Sequence, residues 1–315
     1  MIYDVRQTTV CNYASPVAHA RHVLRLTPVP RDGQRVQVAA LQILPEPMHR
    51  RESLDFFGNR ITWIEIEEPH DTLTVKLAAR VAVDPPPYPP PQAGEGREGA
   101  EPQSTPRWET VREEAFATND IQPLSPAHFL FPSRLVSLDP EIRDYARESF
   151  TPGRPVLDAA IELIGRLKSD IVYEIGATTV TTTPPMSFAL RRGVCQDFAH
   201  IMISGLRGIG LPAAYVSGYL RSAPATDATR LQGSEAMHAW VMLWCGGPHP
   251  SLRRERGREG WGWIGLDPTN AVLAQEEHVM LAIGRDYTDV APVDGVILGS
   301  GGQRMSVSVN VTPVA

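Results

Sequence analysis

The sequence predicts an α+β protein, a core of helices packed on an antiparallel sheet and preceded by a small all-β domain. Three observations carry this. Residues 1–84 hold only strand-like segments, residues 139–210 hold helical patterns, and strand-like segments return from 213 onward. Runs of strands and runs of helices that do not alternate point to α+β architecture.

In the first domain, Ile2, Asp4, Arg6, Thr8 and Val10 alternate with Tyr3, Val5, Gln7 and Thr9, which makes an opening strand. Segments 22–26, 35–44, 61–66 and 72–83 are rich in Val, Ile and Thr and read as further strands. Phe57-Gly58-Asn59-Arg60 supplies a turn between two of them. Short strands at this spacing suggest a small sandwich or barrel-like unit. Residues 85–106 interrupt it with Pro85-Pro86-Pro87-Tyr88-Pro89-Pro90-Pro91 and a polar run. That composition builds no packed element, so it reads as a linker or exposed loop, and as a stiff spacer before a polyproline ligand. Residues 107–315 then form the core.

Asp139-Pro140-Glu141 is a helix start with an Asp cap and Pro at the first position. Val156, Ala159, Ala160, Leu163, Ile164 and Leu167 recur at helical spacing. A short helix is expected over 184–192. After Gly193-Val194 a further helix begins at Cys195. Its apolar stripe runs Phe198, Ile201, Met202, Gly205, Leu206, Ile209, and Gly208 and Gly210 end it. Segments 213–220, 237–244, 261–266, 278–284 and 305–312 read as strands.

Hydrophobic residues make up 42% and charged residues 21%, a balance that supports a packed core. The net charge is −6, from 30 basic and 36 acidic residues, which gives no electrostatic reason to expect nucleic acid or an anionic membrane. No secretory leader pattern or membrane-length apolar run is visible. Cys11, Cys195 and Cys245 are scattered and odd in number, so no disulfide framework is expected and the simplest compartment is a reducing cytoplasm. The oligomeric state is not legible.

Cys195 opens its helix. A thiol there faces the positive end of the helix dipole and free backbone N–H groups, which favour thiolate and can donate to an oxyanion. Position alone leaves nucleophile and buried structural cysteine evenly matched. His238 is the only ionisable residue of the strand Met237-His238-Ala239-Trp240-Val241-Met242-Leu243-Trp244, and Pro268 leaves Asp267 at the end of its strand. If Trp244 lies opposite Trp261, an ordinary hairpin puts His238 directly opposite Asp267. Nucleophile, base and orienting carboxylate are the parts of a thiol acyl-transfer site.

Arg192-Gly193-Val194-Cys195-Gln196-Asp197-Phe198-Ala199-His200, Met237-His238-Ala239-Trp240-Val241 and Trp263-Ile264-Gly265-Leu266-Asp267-Pro268-Thr269-Asn270 resemble the transglutaminase-like superfamily. The variant is similar to the bacterial transglutaminase-like or cysteine-protease group. Residues 15–28 are similar to the β-rich domain that precedes its core. The resemblance implies a papain-like core, with Cys195 as nucleophile, His238 as base and Asp267 as its orienter. It implies a peptide or amide substrate and no cofactor or metal.

Other residues take blander roles. His200 lies about 140° around the helix from Cys195 and reads as structural. Asp197 reads as a partner of the helix dipole. Gln196 or Tyr173 are candidates for a side-chain donor to the oxyanion. His19 and His22 lack a third ligand at metal spacing and read as surface residues. Arg253, Arg254, Arg256 and Arg258 read as a solvated loop tip, and Cys11 and Cys245 as packing residues. The expected function is a hydrolytic, cysteine-protease-like acyl transfer. The alternatives are a protein-glutamine crosslinking transglutaminase and a non-catalytic binding scaffold.

Overall fold

A computed structural model describes residues 1–84, 104–222, 231–233, 237–247, 262–299 and 301–314. Residues 85–103 of the linker expected over 85–106 and the arginine-bearing loop tip lie outside the described residues. Six strands open the chain: β1 (Ile2–Val17), β2 (His19–Leu24), β3 (Gln34–Leu44), β4 (His49–Leu54), β5 (Arg60–Ile66) and β6 (His70–Val83). Helices α1 (Trp108–Ala117), α2 (Pro140–Arg147) and α3 (Val156–Asp170) follow. Next come β7 (Val172–Tyr173), α4 (Pro184–Leu190), β8 (Arg192–Gly193) and α5 (Cys195–Gly208). The last third holds β9 (Ala213–Leu220), β10 (His238–Trp244), β11 (Trp263–Asp267), β12 (Val272–Leu273), β13 (His278–Gly284), α6 (Tyr287–Val290), β14 (Val293–Leu298) and β15 (Gln303–Pro313). Among the described residues no helix is long and apolar enough to cross a membrane.

These elements fall into two compact units, Met1–Asp84 with Val216–His238 and Glu276–Ala315, and Pro85–Tyr215 with Ala239–Gln275. The first contains two four-stranded sheets, ordered β15-β1-β6-β3 and β14-β2-β5-β4. The period-2 pattern of β1 turns Tyr3, Val5, Cys11 and Tyr13 inward. There they join Leu73, Val75, Ile64, Ile66 and Leu24 in one core, so the unit is a sandwich. The C-terminal β15 pairs with β1 from Tyr3↔Pro313 to Tyr13↔Gln303. This closing strand, expected within the core over 107–315, groups with the first unit. Its partner lies some 300 residues away, and no local pattern encodes such a pairing. The charged strand β4 also escaped prediction, because its sequence HRRESL carries almost no apolar signal.

His22 corrects another expectation. It is buried, facing Ile64 and Gly295 in the ladders of β5 and β14, and burial is the chief cause that holds its pKa below the usual histidine value. His19 is half-buried against Glu65 at 3.2 Å. His19, Glu65 and Glu67 also bring three potential ligand atoms within 4.8 Å of one another. Glu65 already pairs with Arg21 at 2.6 Å. Sequence spacing hid this group, since its acidic members come from a neighbouring strand.

Two buried side-chain amides act as surrogate strand residues for β13. Gln34 donates from Nε2 to Met280 O and accepts from Met280 N, both at 2.8 Å. Asn59 donates to Ile283 O at 2.7 Å and accepts from Ile283 N at 2.8 Å. A primary amide carries the same donor–acceptor pair as a peptide group, so each completes the backbone bonding of an edge strand.

In the second unit, helices lie with an antiparallel sheet in which β12, β11, β10 and β9 are successive neighbours. Beyond Tyr215, β9 continues in the first unit, where its neighbour is β13. Asp139 caps α2 as expected, accepting from Glu141 N and Ile142 N at 2.9 and 3.0 Å. The apolar stripe of α5 is buried, and so are its polar residues Gln196, Asp197, His200, Ser204 and Arg207. The helix is therefore central rather than amphipathic at a surface. Buried polar groups need partners. Ser204 donates to Ser137 O at 2.7 Å, and Arg207 donates to Ala213 O at 2.8 Å and to Phe131 O at 3.1 Å. Arg207 thus fixes the turn from α5 into β9.

Two tests follow from these groups. Asn59→Ala strands the Ile283 peptide group without a partner, and urea unfolding should show a loss of about 3 kcal/mol. His22 has a depressed folded pKa. Its contribution to stability is complete above the unfolded value of about 6.5 and is lost as pH falls from there toward the folded value. Unfolding at pH 7.5 and 5.5 should therefore show a larger acid loss for the wild type than for His22→Phe.

Candidate functional site

Cys195 is the first residue of α5 and is partly exposed. The chain reaches it through β8, which pairs in parallel with β7, Tyr173 lying opposite Gly193. Glu174 N donates to Gly193 O at 2.9 Å. Val194 is extended, with φ −111° and ψ −179°, and caps the helix with its main chain. Its carbonyl accepts from Asp197 N at 2.8 Å and Phe198 N at 3.2 Å.

Asp197 controls this entry. Its carboxylate is only 2% exposed. Oδ2 accepts from Val194 N at 2.8 Å and from Thr178 Oγ1 at 2.6 Å. Burial pushes its pKa up, and these hydrogen bonds oppose the shift. A Cβ on Gly193 would stand 2.5 Å from Asp197 Oδ2, so only glycine lets the carboxylate approach. The expectation of a simple dipole partner is too modest: Asp197 is a buried anchor that sets where the thiol emerges.

Gln196 Nε2 donates to Val180 O at 3.1 Å, which ties the loop before α4 to the start of α5. Tyr173 is half-buried, its ring 6.5 Å from that of Phe198. His200 is buried with its ring 5.1 Å from Tyr215, in keeping with a structural role. Cys11 and Cys245 are buried, and burial pushes both thiols up, as packing residues require.

His238 begins β10 and is 2% exposed. A Cβ on Gly233, which has φ +90°, would lie 2.5 Å from His238 Nδ1. The segment ahead of β10 therefore lies directly against the imidazole, and glycine is required there. His278 lies with its ring 6.5 Å away. Asp267 ends β11 and is fully buried. Its Oδ1 accepts from Thr269 N at 3.0 Å and Asn270 N at 3.2 Å, and its Oδ2 accepts from Asn270 Nδ2 at 2.7 Å. The Lys168 ammonium of α3 interacts favourably with the Asp267 charge.

The hairpin register differs from the expected one. Trp244 lies opposite Trp263 rather than Trp261, and Val241 opposite Leu266. On this register His238 does not fall directly opposite Asp267. The sequence offered no marker for the two extra residues in the connection. Sequence reasoning also missed Thr178 and the anchoring role of Asp197. The Asx-type turn in which Asp267 Oδ1 accepts from Thr269 N and Asn270 N was not singled out in the sequence either.

Comparison with known proteins agrees with this architecture. Residues 3–82 match the bacterial transglutaminase-like N-terminal region, and residues 143–268 match the transglutaminase-like superfamily. An uncharacterized protein of Mycobacterium tuberculosis is 35% identical over 315 residues, covering 99% of this chain and 92% of its own. One from Mycobacterium leprae is 30% identical over 306 residues, covering 96% and 95%. A crystal structure of a proposed cysteine protease from Cytophaga hutchinsonii superposes with a TM-score of 0.70 at 21% identity, covering all of this chain and 92% of the other. That likeness speaks for the fold. With both an N-terminal region and a core matched, the chain belongs to the transglutaminase-like superfamily.

Proposed function

We propose that this protein is a cysteine-nucleophile acyl-transfer enzyme that acts on peptide or amide bonds and passes the acyl group to water. The observation that carries the reading is the contrast among the three cysteines. Cys195 is reachable and starts a helix, while Cys11 and Cys245 are buried. Of the amides that open α5, those of Asp197 and Phe198 are taken by Val194 O. The Cys195 and Gln196 amides are then the donors at hand for an acyl oxygen.

In this reading the Cys195 thiol gives its proton to His238, and the sulfur attacks the carbonyl carbon. The amine leaves with that proton and a thioester remains. Water, deprotonated by the same imidazole, adds to the thioester and releases the acid. Asp267 accepts the other ring N–H of His238 and fixes its tautomer. The β10–β11 pairing from Val241↔Leu266 to Trp244↔Trp263 supports this reading, because it sets the strand that His238 begins beside the strand that Asp267 ends. The compartment expected is a reducing one, which keeps the thiol free.

Native protein treated with iodoacetamide should be alkylated at Cys195 while Cys11 and Cys245 are spared. Peptide mass spectrometry reads the outcome, and equal labelling of all three ends the assignment. Dansylcadaverine added with a glutamine-bearing peptide separates the two acyl acceptors. Release of acid without amine incorporation is expected, and incorporation would make the protein a crosslinking enzyme. Asp267→Asn should lower turnover of an amide substrate by about 10³–10⁴-fold. It also sets an amide N–H against Asn270 Nδ2, so a fall in melting temperature of a few degrees is expected alongside.

A further inference from the structure

Arginines surround the end of α5 that lies away from the thiol. Cys195 opens the helix and Gly208 closes it. At the α-helical rise per residue the two ends stand about 20 Å apart. Around the far end lies a cleft of about 520 Å³, bounded by α1, α2, the 130–138 segment and residues 207–210. All of these belong to the second unit, and neither Cys195 nor Asp267 is part of the wall.

Two glycines shape the cleft. A Cβ on Gly208 would stand 2.9 Å from Arg143 Cβ. One on Gly210, where φ is +84°, would stand 3.0 Å from Arg112 Nε and 3.1 Å from Phe116 Cε2. The end of α5 therefore presents bare main chain, and side chains of α1 and α2 close in on it. Arg112 and Phe116 are one turn apart on α1, and Arg143 and Arg147 are one turn apart on α2, so each helix turns one face to the cleft.

The wall combines uncompensated charge with apolar surface. Arg112, Arg143, Arg147 and Arg207 line it against a single carboxylate, Asp144, in a chain whose net charge is −6. Asp144 is taken by Arg143 at 2.7 Å. Arg147 stacks 4.5 Å over the Trp108 ring, which fixes its plane and leaves its N–H edge available. Among the described residues neither Arg112 nor Arg147 pairs with a carboxylate. Beside them Phe116, Phe131 and Leu138 are exposed, and three large apolar side chains at one cleft form a patch rather than scattered surface residues. Arg207 donates to Phe131 O at 3.1 Å, which fixes the main chain of that wall.

We infer that this cleft binds a small organic anion with an apolar body, a carboxylate on an aryl or alkyl chain, at a site separate from the thiol. Arg112 from one wall and Arg147 from the other offer charge-assisted hydrogen bonds to the carboxylate. Phe116, Phe131 and Leu138 receive the apolar part. The volume suits such a ligand, since small-molecule sites span about 300–1,000 Å³. Like charges gathered in one cleft repel, and an arriving anion relieves that repulsion.

The test is calorimetric titration of the full chain with 4-phenylbutyrate, with ligand-observed NMR as a second readout. Sodium sulfate supplies charge alone, and 4-phenylbutanol supplies the apolar body alone. 4-Phenylbutyrate should occupy one site with a Kd of about 1 mM or tighter, and each control should bind at least about ten-fold more weakly. Arg112→Gln and Arg147→Gln should each weaken 4-phenylbutyrate about ten-fold, and Phe131→Ser should weaken it as well. Protein capped at Cys195 by iodoacetamide should bind like the untreated protein. If Arg147→Gln gives no cooperative melt because Trp108 loses its cover, Arg112→Gln carries the test. The inference is overturned by the absence of saturable binding in both readouts, by wild-type affinity in Arg112→Gln, or by sulfate binding as tightly as 4-phenylbutyrate. Loss of binding on capping Cys195 also overturns it, because the ligand would then sit at the thiol.

Discussion

The buried carboxylate of Asp197 is the constraint on which the thiol's position depends. A charge removed from water costs several kcal/mol unless it finds partners. Here the partners are Val194 N, Thr178 Oγ1 and the positive end of α5. Each partner lies on a different segment. Satisfying one carboxylate therefore draws the 174–183 loop, the β8 strand and the first turn of α5 to a single point. Gly193 leaves the room for that convergence. Cys195 emerges where it does because its neighbours cannot move without stranding a buried charge.

Buried polar side chains also organise the first unit. Gln34 and Asn59 supply peptide-like bonding to β13, and each reads a donor and an acceptor on one residue of that strand. Asn59 Oδ1 also takes Arg31, and its Nδ2 also reaches Asp55 at 2.9 Å, so the amide is filled on every side. Gln7 extends the pattern by bonding Tyr219 of β9 and reaching Met237 Sδ at 3.7 Å, one residue before His238. Within the first unit the sandwich thereby holds the segment that leads to His238.

Superfamily membership defines the scaffold and leaves the reaction open, since one thioester can be resolved by water or by an amine. What separates those fates is access and solvation around the thiol, which loops govern more than the core does. The polar interior of α5 fits a rigid platform for either. His200, Ser204 and Arg207 sit on the helix as packed, partnered groups.

Local pattern was enough for most elements. The Asp139-Pro140 cap, the apolar spacing of α3 and α5, and the continuous apolar runs of β9, β10 and β13 are encoded within a dozen residues each, and they were legible. The chemical types of Cys195, His238 and Asp267, each at the end of its element, were legible for the same reason. What tertiary structure decided is everything that depends on distant partners. β15 pairs with β1 across the whole chain, and the β10–β11 register places Trp244 opposite Trp263. His22 is buried by strands it does not adjoin in sequence. Asp197, expected only as a partner of the helix dipole, is a buried anchor that also takes Thr178 from another loop. Periodicity reports which face of an element is apolar. It carries no information on which remote polar group will meet a charge, because that is fixed only when the chain closes and water is excluded.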